Sequence, residues 1–341
     1  MWRIHREDCD FSHPYPVLLM HGLLDCSVSW FMHADKNRTL PYMLAQQGYD
    51  VWLGNNRGNR ISEEGSGRNE KEYCLDHLVE HDQPALINKV LSETGKEKII
   101  YVGHSQGSTQ FLLGMGVHNH MADKIATFVG LGTVLSMEHL EAHPVMELLS
   151  KFYLVELAHL LGFKRLLRVP RALTQAAGTM MYNCKVHCGL MNKLVQMLCG
   201  SSENVPDHLF GAIIAQEPGG ASSSNTLQWI ECYRTGQMRR LCLGKSRNKK
   251  VYGCEEAPAY CLDHLSELPF ETHIFRGLRD SVMSDGDFKG MMRRFKAGRG
   301  KSYELPLYNH LDYLWGKNAH KDVHEHVLRI VNERSSAPLD S

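Results

Sequence analysis

The residues best suited to do chemistry stand in Gly103-His104-Ser105-Gln106-Gly107. A serine hydroxyl is a poor nucleophile at neutral pH, so Ser105 requires a base within hydrogen-bond reach and an acid to orient that base. Glycines two positions to either side have a steric use. A nucleophile on a tight elbow sits in strained backbone, and larger neighbours would collide with the strand and helix that it joins. The five residues alone also fit an ordinary glycine-rich turn in a chain with 29 glycines. Their placement favours the functional reading: residues 99–102 are a β-branched apolar run of strand length, and Phe111, Leu112, Leu113 and Met115 recur at helical spacing, so the stretch is a strand-to-helix turn.

With 20 histidines in the chain, the base must be chosen by position. Functional groups of an open α/β sheet gather beyond the carboxyl ends of its strands, which restricts the candidates to residues just after a strand. Asp280 follows the strand-like run 270–275 through Arg276-Gly277-Leu278-Arg279, and His310 follows 303–307 through Tyr308-Asn309. Ser105, Asp280, His310 is the chain order of an α/β-hydrolase triad. Asp280 also reads as a turn or cap aspartate, with Asp285 and Asp287 as substitutes, and His310 as a surface histidine beside Asp312. An oxyanion formed in acyl transfer needs fixed donors, usually the N–H after the nucleophile and one from the loop after an early strand. Gln106 and Leu23, the latter in His21-Gly22-Leu23-Leu24, fill those positions.

The elements that must hold these residues alternate along the first third of the chain. Residues 17–20, 50–53 and 99–102 read as strands, and 40–47 and 83–94 as helices, which predicts parallel strands with crossover helices. The helix over 83–94 has Asp82 as N-cap, Pro84 in its first turn and Gly95 as its stop. Residues 1–6 read as a strand and lack the long apolar core of a secretory signal. After a strand over 126–131 the alternation gives way to a mostly helical region, with strands resuming at 270–275 and 303–307. The expected organisation is a core in two parts, 1–132 and 268–341, with a helical cap over 133–267 inserted before the last strands. Residues 201–206 and 218–225 read as loops in that insertion, and Lys245, Arg247, Lys249 and Lys250 as a solvated basic loop, with contact to an anionic lipid surface as the alternative. Its apolar residues Val145, Leu148, Leu149, Phe152, Leu154, Val155, Leu157, Leu160 and Leu161, with Met180, Met181, Met191 and Met197, read chiefly as the cap's own core and secondarily as an acyl-chain lining.

Composition narrows the classes of function. Lys plus Arg and Asp plus Glu each number 38, so no overall basic field exists to hold a nucleic-acid backbone. Residues 145–163 are apolar, but Glu147, Lys151, Glu156 and His159 argue against a membrane span. Ten irregularly spaced cysteines include no paired CxxC, and Cys184, Cys188 and Cys199 with His187 read as buried thiols or one disulfide before a metal site. Gly244-Lys245-Ser246 and Gly300-Lys301-Ser302 lack the earlier glycine of a phosphate loop, where Arg239 and Phe295 stand. Asn37-Arg38-Thr39 is the single glycosylation sequon and points to the secretory route.

Longer phrases carry a family likeness. HGLL at 21–24, GYDVWLGNNRGN at 48–59, DQPA at 82–85, YVGHSQG at 101–107 and YNHLDYLWG at 308–316 resemble the acid lipase family of α/β-hydrolases, which includes gastric lipase, lysosomal acid lipase and steryl ester hydrolases. EPGGASSSNTLQW at 217–229 matches more loosely, the stretch between Asn59 and Asp82 is shorter than in the animal enzymes, and the cap cysteines depart from the usual spacing. Family members usually begin with a further upstream strand and leader, so the chain is expected to be shortened at its start. The resemblance implies Ser105 as nucleophile, Asp280 as acid, His310 as base, and Leu23 and Gln106 as oxyanion donors.

It further implies an enzyme that needs no metal or organic cofactor and hydrolyses neutral lipid esters, triacylglycerols or steryl esters, with transient contact at a lipid or membrane interface and no nucleic-acid partner. A short-chain carboxylesterase and a non-catalytic lipid-binding protein are the alternatives. The implied compartment is lysosomal or extracellular, the alternative being a lipid-droplet or membrane-associated intracellular site. The substrate-binding residues within 133–267 stay unassigned.

Overall fold

A sheet buried on both faces organises the centre of the molecule, a computed structural model that describes residues 1–7, 13–66, 72–140, 143–167, 169–182 and 185–337. The strands are β1 (Trp2–Ile4), β2 (Val17–Met20), β3 (Val51–Leu53), β4 (Ile99–His104), β5 (Ile125–Leu131), β6 (Arg165–Leu166), β7 (Ala221–Ser222), β8 (Glu271–Gly277) and β9 (Gly300–Leu305). Seven of them form one sheet in the order β1-β3-β2-β4-β5-β8-β9. β1 runs antiparallel to β3, and every other neighbouring pair is parallel. Successive side chains of a strand point to opposite faces. Leu18, Met20, Tyr101, Phe128 and Ile274 therefore pack into one apolar layer, while Val17, Leu19, Ile100, Val102, Val129 and Phe275 pack into the other. Helices cover both faces, so the central strands read as continuous apolar runs.

The helix Gln106–Val117 enters directly from β4 and buries all of residues 106–115. Phe111 stacks on Phe128 with centroids 4.3 Å apart and lies 4.3 Å from Tyr101. This packing holds the end of β4 rigid under the serine. Between β5 and β8 the chain forms the helices Pro144–Lys151, Leu154–Leu160, Arg171–Tyr182, Lys185–Cys199, Phe210–Gln216, Ser223–Thr235 and Lys245–Tyr252, with β6 and β7 as a two-stranded antiparallel ladder among them. No helix of the described residues is long and apolar enough to cross a membrane.

Local readings differ from this structure in several places. The helix Gln83–Thr94 ends at Gly95 in a left-handed conformation, as its sequence suggests, and Asp82 stands at its N-cap position but in helical backbone and without a capping hydrogen bond. A π-turn over Leu78–Asp82 leads straight into the helix, and the Asp82 carboxylate accepts the Arg57 N–H and Nε–H at 2.8 and 2.7 Å. β9 begins at Gly300, three residues before its apolar run, because it pairs with β8 from Thr272↔Gly300 onward and its outer face meets solvent. Residues 221–235 are β7 and a helix capped by the Ser222 hydroxyl, so the loop reading of 218–225 holds only at its start. The basic run lies on an exposed helix, Lys245–Tyr252, ending at left-handed Gly253.

The largest correction concerns the apolar side chains of the insertion. Val155 and Met181 are buried, but Leu148, Phe152, Leu154, Leu157, Leu160, Leu161, Met180 and Met197 are exposed. Helical period fixes which residues share a face and leaves open what covers that face. The Cys184, Cys188 and His187 grouping lies outside the described side chains, while Cys199 is a free thiol.

Candidate active site

Ser105 sits at φ 51°, ψ −122°, a strained backbone forced by the immediate passage from β4 into the helix Gln106–Val117. Its flanking glycines are required by contact. A Cβ on Gly103 would lie 2.6 Å from the Ser108 nitrogen, and one on Gly107 would lie 2.6 Å from the Met20 and His21 carbonyl oxygens. The elbow therefore stands tight against the end of β2, which carries the HGLL turn.

Asp280 and His310 follow β8 and β9, and the sheet brings both to Ser105. His310 Nε2 is 2.7 Å from Ser105 Oγ, and His310 Nδ1 is 2.7 Å from Asp280 Oδ2. In the tautomer that this network requires, Nδ1–H donates to the carboxylate and Nε2 accepts from the serine. Asp280 Oδ1 accepts the Val282 N–H at 2.9 Å, and the Tyr313 hydroxyl reaches Oδ2 at 3.3 Å. The other acids named from the sequence lie elsewhere. Asp285 pairs with Arg276, Asp287 accepts from Ser136 and Ser284, and Asp312 accepts the Asn309 N–H.

The loops bearing the acid and the base are tied to the insertion. The Cys199 carbonyl accepts the His310 N–H at 3.0 Å and the Ser281 N–H at 3.4 Å, and Asn309 Nδ2 donates to the Gly200 carbonyl at 2.9 Å. Beneath them lies His104, whose Nε2–H donates to the His310 carbonyl at 2.8 Å. Burial, with the neighbouring His310, depresses His104 to about 3, so it is neutral at working pH. A neutral ring there avoids repelling the imidazolium that forms on His310 during general-base catalysis.

The two candidate oxyanion donors are positioned by different parts of the chain. Gln106 is the first residue of its helix, where the N–H has no intrahelical acceptor. Its side-chain Oε1 accepts from Trp229 Nε1 at 2.7 Å and Asn225 Nδ2 at 3.0 Å, both on the helix Ser223–Thr235. Leu23 stands in the turn after β2, and its N–H donates to no group among the described residues. The GNNRGN phrase supports this turn. Asn55 accepts the Ser27 N–H at 3.0 Å, and His21 Nε2 accepts the Asn56 N–H at 3.1 Å and contacts Asn59 Nδ2 at 3.0 Å. His21 Nδ1–H donates to the Gly22 carbonyl at 2.8 Å, and burial lowers its pKa, keeping the ring neutral in this role.

Single-residue reasoning along the chain did not find Tyr313, Asn225, Trp229, Asp25 or Glu217. All but Asp25 lie inside the quoted phrases 217–229 and 308–316, so the signal lay in phrases longer than any one catalytic position. A cavity of about 460 Å³ lined by Lys98, Asp123, Glu271 and Arg299 opens at the starts of β4, β5 and β8, the end of the sheet opposite Ser105. It has no part in this site.

An elbow serine after β4, an aspartate after β8 and a histidine after β9 are the arrangement of an α/β-hydrolase, and comparison with known proteins agrees. Residues 15–234 match the model of the alpha/beta hydrolase fold, and the chain belongs to that family. Its resemblance to the acid lipases extends over most of its length. It is 28% identical over 324 residues to gastric triacylglycerol lipase of Rattus norvegicus, spanning 93% of this chain and 80% of that protein. Lipase member K of Mus musculus is 28% identical over 324 residues, covering 93% and 79%. Among solved structures, a soluble variant of monoglyceride lipase from Saccharomyces cerevisiae superposes with TM-score 0.58 at 14% identity over 98% of this chain and 90% of that one. A thermophilic esterase from Thermogutta terrifontis gives 0.54 at 14% identity, covering 94% and 91%. These two likenesses show the fold.

Proposed function

We propose that this chain is a serine ester hydrolase that cleaves neutral lipid esters, triacylglycerols or steryl esters, through an acyl-enzyme. The observation that carries the reading is the continuous hydrogen-bonded series Ser105–His310–Asp280 at the carboxyl end of the sheet. Ser105 Oγ attacks the ester carbonyl while His310 Nε2 takes its proton, and Asp280 holds the ring and balances the imidazolium. The carbonyl oxygen, now negative, accepts from the Leu23 and Gln106 N–H groups. His310 then protonates the departing alcohol, and water repeats the cycle on the acyl-enzyme. Every proton in this scheme is carried by a group of the chain or by water.

The lipid substrate class rests on the likeness to gastric triacylglycerol lipase and lipase member K, and on the insertion. We read residues 133–267 as a cap whose outer surface meets a lipid interface. Leu148, Phe152, Leu157, Leu160, Leu161 and Phe163 are all exposed, Leu160 by 81%. An apolar surface of this kind is unfavourable in water and favourable against acyl chains. The relatives and the exposed sequon residue Asn37 support a secreted or lysosomal setting.

The test is fatty-acid release from emulsified triolein and cholesteryl oleate, side by side across acidic to neutral pH, with Ser105→Ala as control. Serine-dependent release ranks the two substrates. Release only from short soluble esters would overturn the lipid assignment, and hydrolysis undiminished in Ser105→Ala would overturn the serine mechanism.

A further inference from the structure

The turn that presents the Leu23 N–H is held from two sides, and one side is a pair of buried carboxyl groups. Leu24 is a non-glycine residue in the left-handed region at φ 64°, a conformation that costs free energy and persists only where neighbours enforce it. The Gly219 N–H donates to the Leu24 carbonyl at 2.6 Å, and a Cβ on Gly219 would stand 2.8 Å from the Asp25 carbonyl, so the cap strand lies directly against the turn. Next to that contact the Cys26 sulfur and one oxygen each of the buried Asp25 and Glu217 carboxyls lie within 4.8 Å of one another.

Two carboxyl groups buried this close together repel when both are ionised, and a proton on one of them removes that repulsion. Both Asp25 oxygens already accept: Oδ1 takes the Cys26 N–H at 2.6 Å and Oδ2 the Gly22 N–H at 3.5 Å. Glu217 Oε1 takes the Cys26 Sγ–H at 3.1 Å, while buried Oε2 has no partner. The pair's one proton is therefore assigned to Glu217, whose Oε2 accepts from no donor.

We propose that Asp25 and Glu217 are positioning residues for the oxyanion donor on Leu23, a carboxyl pair holding one proton that fastens the turn after β2 to the cap. The pair acts through the backbone of residues 22–26, not on the substrate. The inference rests on the serine-hydrolase reading of the site.

The surroundings favour one negative charge and disfavour two. The groups facing the pair are neutral His21 and the Cys26 thiol on the turn and Arg60 from the helix Arg60–Ser66. Arg60 is itself buried and donates to the Gln216 carbonyl. Burial raises both carboxyls above their usual range, and the neighbouring Asp25 charge raises Glu217 further. The folded chain thus keeps a proton that the unfolded chain gives up near the ordinary carboxylate range. Stability accordingly falls as pH rises from there until the folded pair ionises, and the turn loosens when it does.

The experiment measures kcat and KM on a short soluble p-nitrophenyl ester against pH, together with the melting midpoint against pH, for wild type, Glu217→Gln, Glu217→Ala and Asp25→Asn. Glu217→Ala should lower kcat on the order of 10²-fold with KM within about twofold, the pattern of a displaced oxyanion donor. Glu217→Gln, whose carboxamide donates at every pH, should recover most of that loss. It should also move the alkaline fall of kcat upward and flatten the fall of the melting midpoint with pH. Asp25→Asn should lower kcat while the midpoint stays above room temperature. Glu217→Gln profiles superposed on those of wild type in both kcat and melting midpoint would overturn the proposal, as would an Ala variant that changes KM alone. Should the ester be cleaved without Ser105, the hydrolase reading fails by itself, and the melting profiles still decide whether the pair holds its proton.

Discussion

Two helices of this molecule have similar apolar content and opposite surroundings. Gln106–Val117 follows the nucleophile and is buried over ten of its twelve residues between β4, β5 and the elements flanking them. Leu154–Leu160 in the insertion buries only Val155 and turns Leu154, Leu157 and Leu160 to solvent. The first fixes atoms whose spacing must hold within tenths of an ångström. The second presents area. A buried helix tolerates little change because every neighbour is already in contact, whereas an exposed apolar face costs the fold almost nothing to alter and serves whatever it meets. Function is thus divided between a rigid end of the sheet and a surface that is unsatisfied in water.

The sharpest test of the rigid side is Ser105→Ala, which should lower serine-dependent turnover by about 10⁴-fold or more while leaving circular dichroism and the melting midpoint near wild type. Next is Phe111→Ala under the elbow, expected to cost about 3–5 kcal/mol in urea unfolding through the cavity it opens between Tyr101 and Phe128. A cost below about 1 kcal/mol would mean that the helix is less tightly held than its burial indicates. Gly107→Ala follows. Its methyl group would sit 2.6 Å from the Met20 and His21 carbonyls, so about 1–3 kcal/mol of destabilisation should accompany a fall in kcat.

The smallest effect on folding should come from the cap. The double variant Leu157→Ser, Leu160→Ser should change stability by less than about 1 kcal/mol, since both side chains are exposed. It should lower adsorption to triolein emulsion and release of fatty acid from it, with hydrolysis of a soluble short ester unaltered. Equal loss on both substrates would erase the distinction between the two helices and place these leucines in the cap's support of the triad.

How the site is held was legible in part. The glycine-flanked elbow names Ser105 and the places after two strands name Asp280 and His310, and the three lie in hydrogen-bond contact because parallel strands end at one edge of a sheet. Asp82 stands at the N-cap position but does not cap, because the chain before the helix is already turning instead of extended. Its carboxylate is used by Arg57 instead. The clamp on Gln106 from Asn225 and Trp229 joins residues far apart in the chain, and no local spacing encodes it.

The sequence by itself determined the elbow, the alternation of strands and helices, and the order of the three polar groups. Each follows from short-range sterics: glycines where a Cβ has no room, β-branched runs that extend, and apolar residues at a fixed period. Only the tertiary structure decided that most of the named apolar residues between β5 and β8 face outward, that Asp285, Asp287 and Asp312 serve other partners, and that Asp25 lies beside Glu217 behind the turn after β2. Burial and pairing depend on what a distant segment brings to the same place, and a side chain's own neighbours in sequence carry no record of that.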